Sequence, residues 1–223
     1  MDKYDNNIDS VYQLSNGVMK NKLGITSHAE LEKAERDSSS LRSKELSMQP
    51  IQGQFDLPHL QAIHKKLFGD IYEWAGEVRR VDISKGNTRF ANFSFIKNEA
   101  AKLSKKLQSE NFLKGLHPDQ FSERAAYYMG EWNVLHPFRE GNGRSLREFT
   151  NQLARQNNMA INWKNVSAEQ MVQASIAAYH TNYRPLTKLI RNNLTPILKV
   201  QETLRQQTEK SVLRNKAKNR LKQ

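Results

Sequence analysis

The chain has 223 residues, no cysteine and a formal net charge of +12. The length fits one domain with an appendage, and 37% hydrophobic residues can still bury a sizeable core. No run approaches the ~18 apolar residues of a membrane helix, and the missing cysteines exclude a disulfide framework and a thiol active site.

Residues 1–22 read as a polar N-terminal extension. Met1–Asn7 has no signal-peptide core, so the expected location is the cytoplasm, with delivery into another cell as the alternative. Ser27 and Glu30 form a capping box before Leu31 and Ala34, which predicts a helix reaching toward Leu46. Asp56 caps a second helix with Pro58 in its first turn and Leu60, Ile63, Leu67, Ile71 and Trp74 on one face. Next come two β-prone runs, Val78–Ile83 and Arg89–Ile96, separated by the turn signal Ser84-Lys85-Gly86-Asn87. They predict a β-hairpin, with Arg79 and Arg80 facing solvent. Leu103 and Leu107 mark a helix ending near Phe112. Phe121, Ala125, Tyr128, Trp132 and Leu135 mark another at three- and four-residue spacing, and Leu146, Phe149 and Leu153 a third. Ser167 opens a helix through Met171, Ala174 and Ala178, and Leu186, Leu189 and Ile190 follow Pro185 in the last one. The predicted class is all-α with one short β-hairpin.

Between two of these helices lies His136-Pro137-Phe138-Arg139-Glu140-Gly141-Asn142-Gly143-Arg144-Ser145-Leu146-Arg147. This is a helix, a tight loop and a helix. Gly141 and Gly143 permit positive φ and close approach of backbone N–H groups to a ligand. Asn142 is a good N-cap, so the second helix is expected to start there. A helix N-terminus presents N–H groups and a positive dipole end, which suits an anion. Arg144 and Arg147, three residues apart, can each reach a phosphate with a planar fork. Glu140 is a hard oxygen ligand suited to Mg²⁺, which takes one or two carboxylates plus substrate phosphates. His136, at the end of the incoming helix, matches the task of taking a proton from a hydroxyl near neutral pH. The other histidines pair with no carboxylate at zinc-site spacing.

The run matches the signature of Fic-domain proteins, H-x-F-x-[D/E]-G-N-G-R-x-x-R, at every fixed position, and the chain resembles that family from about residue 20 to 195. The resemblance implies a mainly helical fold that transfers AMP from ATP to a Ser, Thr or Tyr hydroxyl of a target protein. It implies His136 as general base, Glu140 as Mg²⁺ ligand, and Asn142 with the backbone of Gly141 and Gly143 as anion hole. Arg144 would meet the β-phosphate and Arg147 the γ-phosphate, with Phe138 a buried anchor. The related Doc-type kinases carry lysine at the position of Gly143, so glycine favours nucleotidyl transfer. The hairpin resembles the family's flap, which docks an extended target segment by strand addition; Lys85, Gly86, Asn87 and Thr88 are its docking residues.

Many members of that family carry an inhibitory [S/T]-x-x-x-E-[G/N] helix. Thr26 and Glu30 have its spacing, but Leu31 follows where Gly or Asn is needed. The resemblance therefore implies a toxin held by a small antitoxin that supplies the glutamate, with type II topoisomerase subunits as targets. The domain plan is an extension over 1–22, a Fic domain over 23–199 and a basic tail over 200–223. From Lys210 onward that tail holds six basic residues and no acid, half of the net charge. Such runs are usually solvated, and without an aromatic to stack on bases, nucleic-acid contact is the less favoured reading. Two alternatives stand beside the main one: a basic helical nucleic-acid-binding module without catalysis, and an enzyme of the same fold transferring another nucleotide.

Overall fold

The computed structural model describes residues 9–86 and 88–197. Among the described residues, seven α-helices carry the architecture: α1 His28–Met48, α2 Leu57–Phe68, α3 Ile96–Ser109, α4 Pro118–Leu135, α5 Asn142–Gln156, α6 Ala168–Tyr179 and α7 Arg184–Asn193. Caps explain several starts. Ser27 accepts the Glu30 N–H, Asp56 accepts the His59 N–H with Pro58 in the first turn, and Ser167 with Gln170 completes a capping box. Helix α5 lies at the centre. It buries Leu146, Phe149, Leu153 and Ala154, and α2 and α4 pack against it. The remaining core comes from the apolar faces of α2 and α4, including Leu60, Ile63, Leu67, Phe121, Ala125 and Trp132.

The strands are shorter and placed differently than the sequence suggests. The first hairpin pairs only β1 Ser84–Lys85 with β2 Thr88–Arg89, in register Ser84↔Arg89 and Lys85↔Thr88. Val78–Ile83 is irregular and Phe93–Phe95 is a 3₁₀ turn leading into α3. The apolar side chains of these runs are spent on tertiary packing: Ile83 and Phe90 are buried together, with Val81 against them. A second hairpin, β3 Met159–Ile161 with β4 Leu194–Pro196, joins segments far apart in the chain and carries no local turn signal. Helix α2 also ends earlier than its apolar face does, at Phe68. Ile71 and Trp74 stay in the core but sit in the turns that follow.

Residues 9–22, read from sequence as an extension, pack into the body. Tyr12, Val18 and Met19 are buried, Tyr12 meets Trp74 edge-to-face at 5.4 Å, and the Lys22 N–H donates to the Ile71 carbonyl. The Tyr12 hydroxyl accepts the Arg80 N–H at 3.1 Å. The basic run from Lys210 lies outside the described residues.

Removing the Tyr12 ring should therefore cost the whole fold. Tyr12→Ala is expected to lower unfolding free energy by about 3–5 kcal/mol in urea titration and to speed amide exchange across residues 9–22. Wild-type stability in that variant would show the segment to be loosely attached.

Candidate active site

Helix α4 stops at His136 because that residue enters the left-handed region, φ 46° and ψ 61°, a conformation rare for a residue with a β-carbon. Its imidazole Nδ1 lies 3.1 Å from the Asn133 carbonyl. A carbonyl can only accept, so Nδ1 carries the proton and Nε2 is the basic nitrogen. The ring stacks on Phe90 of the hairpin with centroids 3.7 Å apart and 19° between planes. Burial, reinforced by the nearby charges of Arg79 and Lys85, pushes the imidazole down to about 3. At neutral pH it is an uncharged base.

The loop after His136 is held by side chains rather than by regular structure. Phe138 is fully buried and stacks on His64 of α2 at 3.9 Å. His64 takes the Gly76 N–H on Nδ1 at 2.8 Å, which obliges Nε2 to donate to the Glu140 carbonyl at 2.9 Å. Burial pushes His64 down to about 3 as well. Asn142 closes the loop on itself: its Oδ1 accepts the Phe138 N–H at 2.9 Å and its Nδ2 donates to the Phe138 carbonyl at 2.7 Å. Asn142 is thus the first residue of α5 and not its N-cap, which is Gly141. With one Nδ2 hydrogen and Oδ1 committed to Phe138, Asn142 keeps its second Nδ2 hydrogen and its backbone N–H to offer an anion. Gly141 has φ 81°, and a β-carbon there would lie 2.5 Å from the Phe68 ring. Gly143 needs neither allowance, since an added β-carbon would make only ordinary contact with Arg147 Nη1 at 3.7 Å. Arg139 is buried and its Nε reaches Asp9 at 3.3 Å, tying the N-terminal segment to the loop.

The two arginines have different surroundings. Arg144 donates to Glu35 and, at 3.2 Å, to the Ser39 hydroxyl, both on α1, and lies over the Phe68 ring. Glu35 is buried and also accepts from the Tyr72 hydroxyl. Arg147 pairs with no carboxylate among the described residues, and burial together with Arg144 pulls its guanidinium below the ordinary value. It lines a small cavity of about 30 Å³ with Asn133, Gly143 and Ser175. The Glu140 carboxylate is near the surface of this region. Its Oε1 accepts the Gly141 N–H at 2.9 Å and lies 3.7 Å from Arg144. One carboxylate beside an anion site is the donor set Mg²⁺ accepts when phosphates and water complete its shell. Glu140 would be the residue to hold the ion.

The structure thus brings together His136, Glu140, Gly141, Asn142, Gly143, Arg144 and Arg147, and sets the hairpin against His136 through Phe90. Lys85, Gly86 and Thr88 are at the hairpin end, Gly86 with φ 53° in the turn. Asn87 lies outside the described residues. The hairpin is also tethered from α6, where the Tyr179 hydroxyl donates to the Arg89 carbonyl at 2.9 Å. Sequence reasoning missed four positioning residues: Glu35, His64, Arg79 and Phe90. Arg79 is a direct correction. It is 1% exposed, while Arg80 does face solvent.

Comparison with known proteins bears on this arrangement. Residues 54–154 match the family model described as Fic/DOC family. The chain is 49% identical over 195 residues to "Protein adenylyltransferase VbhT" of Bartonella schoenbuchensis, covering 87% of this chain and 41% of that protein. It is 40% identical over 175 residues to "Probable protein adenylyltransferase Fic" of Salmonella typhimurium, covering 78% of this chain and 86% of that one. This chain thus spans less than half the length of the first relative and most of the second. Among solved structures, the BepC protein of Bartonella tribocorum with bound AMPPNP superposes with a TM-score of 0.81 at 27% identity, over 86% of this chain and 99% of that one. A Bartonella quintana Fic domain with bound ADP gives 0.81 at 29% identity, over 85% and 97%.

Two predictions follow from the loop. His64 and His136 both have folded values far below 6.5, so the unfolded chain takes up protons that the folded one refuses. Stability is full above about pH 6.5 and falls as pH drops toward about 3, by up to about 1.4 kcal/mol per pH unit for each histidine. Denaturant titrations across that window should show the loss, and His136→Ala should make it shallower; a flat profile would contradict neutral burial. Gly141→Ala should destabilise by more than ~1 kcal/mol, whereas Gly143→Ala should sit near wild type in the same assay.

Proposed function

Since the chain belongs to the Fic/DOC family, we propose that it is a protein adenylyltransferase, moving AMP from ATP to a hydroxyl of a target protein and releasing pyrophosphate. The observation that carries this reading is the pairing of a neutral base with an anion site. His136, its tautomer set by Asn133, stands across a five-residue turn from the N-terminus of α5 with its two arginines. The reading is supported further by relatives named as adenylyltransferases and by structural neighbours that hold AMPPNP and ADP.

In this reading Nε2 of His136 takes the proton from the acceptor hydroxyl. The freed oxygen forms a bond to the α-phosphorus as the bond to the bridging oxygen of the pyrophosphate breaks. The first N–H groups of α5 and Arg144 stabilise charge on the phosphates, and Arg147 takes the far phosphate. Mg²⁺ bound by Glu140 would neutralise phosphate charge. Gly143 leaves room for the triphosphate where a side chain would project. The hairpin aligns the target segment by backbone pairing along Lys85–Thr88. The acceptor class and the topoisomerase assignment rest on the family resemblance alone.

The regulatory proposal is an antitoxin. Arg147 pairs with no carboxylate among the described residues, and a partner's glutamate placed there would exclude the terminal phosphate. Glu30, the one residue with near-motif spacing, is exposed in the first turn of α1.

The decisive experiment uses ATP labelled at either end, with Mg²⁺ and a bacterial lysate or purified topoisomerase subunits. Protein should be labelled from the α-phosphate and not from the γ-phosphate; γ-labelling would make the chain a kinase. His136→Ala should lose about 10²–10⁴-fold in transfer rate while its affinity for ATP stays near wild type by calorimetry. Retained transfer in that variant would remove the base from the mechanism, and salt-steep nucleic-acid binding without turnover would favour the non-catalytic alternative.

A further inference from the structure

We propose that Arg79 is a positioning residue that locks both legs of the hairpin to the backbone of His136, so that seating a target on the hairpin and aiming the base are one event. This rests on the reading of His136 as the base and goes beyond it.

A guanidinium that is 1% exposed must have its donors satisfied, because buried unpaired charge is strongly disfavoured. Arg79 meets that demand almost wholly with main-chain carbonyls. Nε donates to His136 at 2.8 Å, Nη1 to Val81 at 2.6 Å, and Nη2 to Ala91 and, at 3.3 Å, to Leu135. Val81 and Ala91 lie on the two sides of the hairpin, before β1 and after β2. Leu135 and His136 are the end of α4, where carbonyls point outward with negative partial charge and a cation is favoured. Asp82 adds a carboxylate 3.6 Å from Nη1. The backbone repeats the connection: Arg79 N–H donates to the Pro137 carbonyl at 2.8 Å and Ala91 N–H to the Val134 carbonyl at 3.0 Å.

The side chain of His136 is then fixed from the same source. Its left-handed backbone persists only where surrounding contacts over-determine it. The Arg79 bond to its carbonyl is one such contact. The Phe90 ring, on the leg whose neighbour Ala91 is held by Arg79, presses on the imidazole face. The charged groups that act on the imidazole, Arg79 and Lys85, both come from this hairpin and its base. A shift of the hairpin therefore carries the base with it. Lysine could not substitute, since a single ammonium lacks the planar fork needed to span three chain segments.

The test uses the full chain with Arg79→Lys, Arg79→Met and, as control, Arg80→Met, whose side chain is exposed. Histidine is ¹⁵N-labelled so that NMR reads the tautomer and titration of His136 directly, without any acceptor protein. Wild type and Arg80→Met should show one Nδ1–H tautomer and a suppressed titration midpoint. Both Arg79 variants should show mixed tautomers and a midpoint raised toward the ordinary histidine value. In AMP transfer to lysate acceptors the Arg79 variants should lose about 100-fold in kcat, with KM for ATP within about twofold of wild type. Phe90→Leu, which keeps the carbonyl contacts, serves where an Arg79 variant fails to fold; it should lower kcat and raise the midpoint. A wild-type tautomer and midpoint in the folded Arg79 variants, or in Phe90→Leu where they do not fold, would overturn the proposal. If wild type labels no protein from any nucleotide position, the transfer reading fails, and the NMR result still decides this one.

Discussion

Four residues separate His136, the left-handed end of α4, from Gly141, the N-cap of α5, and the whole site depends on holding that short turn in one shape. The holding is done by an amide and an imidazole. Asn142 returns both ends of its side chain to the backbone of Phe138, and His64 fastens the Glu140 carbonyl while stacking on Phe138. The two Asn142 bonds are buried and the His64 bond is partly so, and leaving a buried one unmade would strand a polar group in an apolar interior at a cost of about 1–3 kcal/mol. The turn is rigid because its alternatives are expensive. With the turn fixed, the Glu140 carboxylate and the opening N–H groups of α5 have no freedom left to lose when an anion arrives.

Much of this was legible in sequence because the chemistry is contiguous. A twelve-residue run that contains a base, a carboxylate, two glycines and three arginines needs no tertiary information to be noticed. The helices were legible for a different reason: apolar residues at three- and four-residue spacing, with Ser27, Asp56 and Ser167 at their starts, are local signals. The failures share a cause as well. Arg79 looks like a surface cation until the carbonyls of Leu135 and His136, more than fifty positions away, are brought to it. Glu35 sits in a polar helix and looks solvated until Arg144 meets it across 109 positions. The β-prone runs around the hairpin carry side chains that pack inward, so their propensity reports burial and not strand length. Asn142 was misread because an amide at a helix start usually caps; here it looks backward into the loop instead.

The site also shows how one helix can carry two arginines for different ends. Arg144 is drawn toward α1, where Glu35, Ser39 and the Tyr72 hydroxyl form a buried cluster around it. That cluster fixes the fork in space and neutralises its charge. Arg147 has no such counterweight among the described residues, and its burial and its like-charged neighbour act in the same direction. The pair therefore divides into a cation already balanced and a cation left wanting.

That asymmetry reaches beyond catalysis. A half-buried guanidinium with no carboxylate partner among the described residues carries a charge that a bound anion would offset. Any phosphate, sulfate or acidic tag that finds Arg147 gains its affinity partly by relieving that imbalance and raises the melting temperature by mass action. Comparisons of heat tolerance between preparations would then report what anion travelled with the protein as much as how well it is packed.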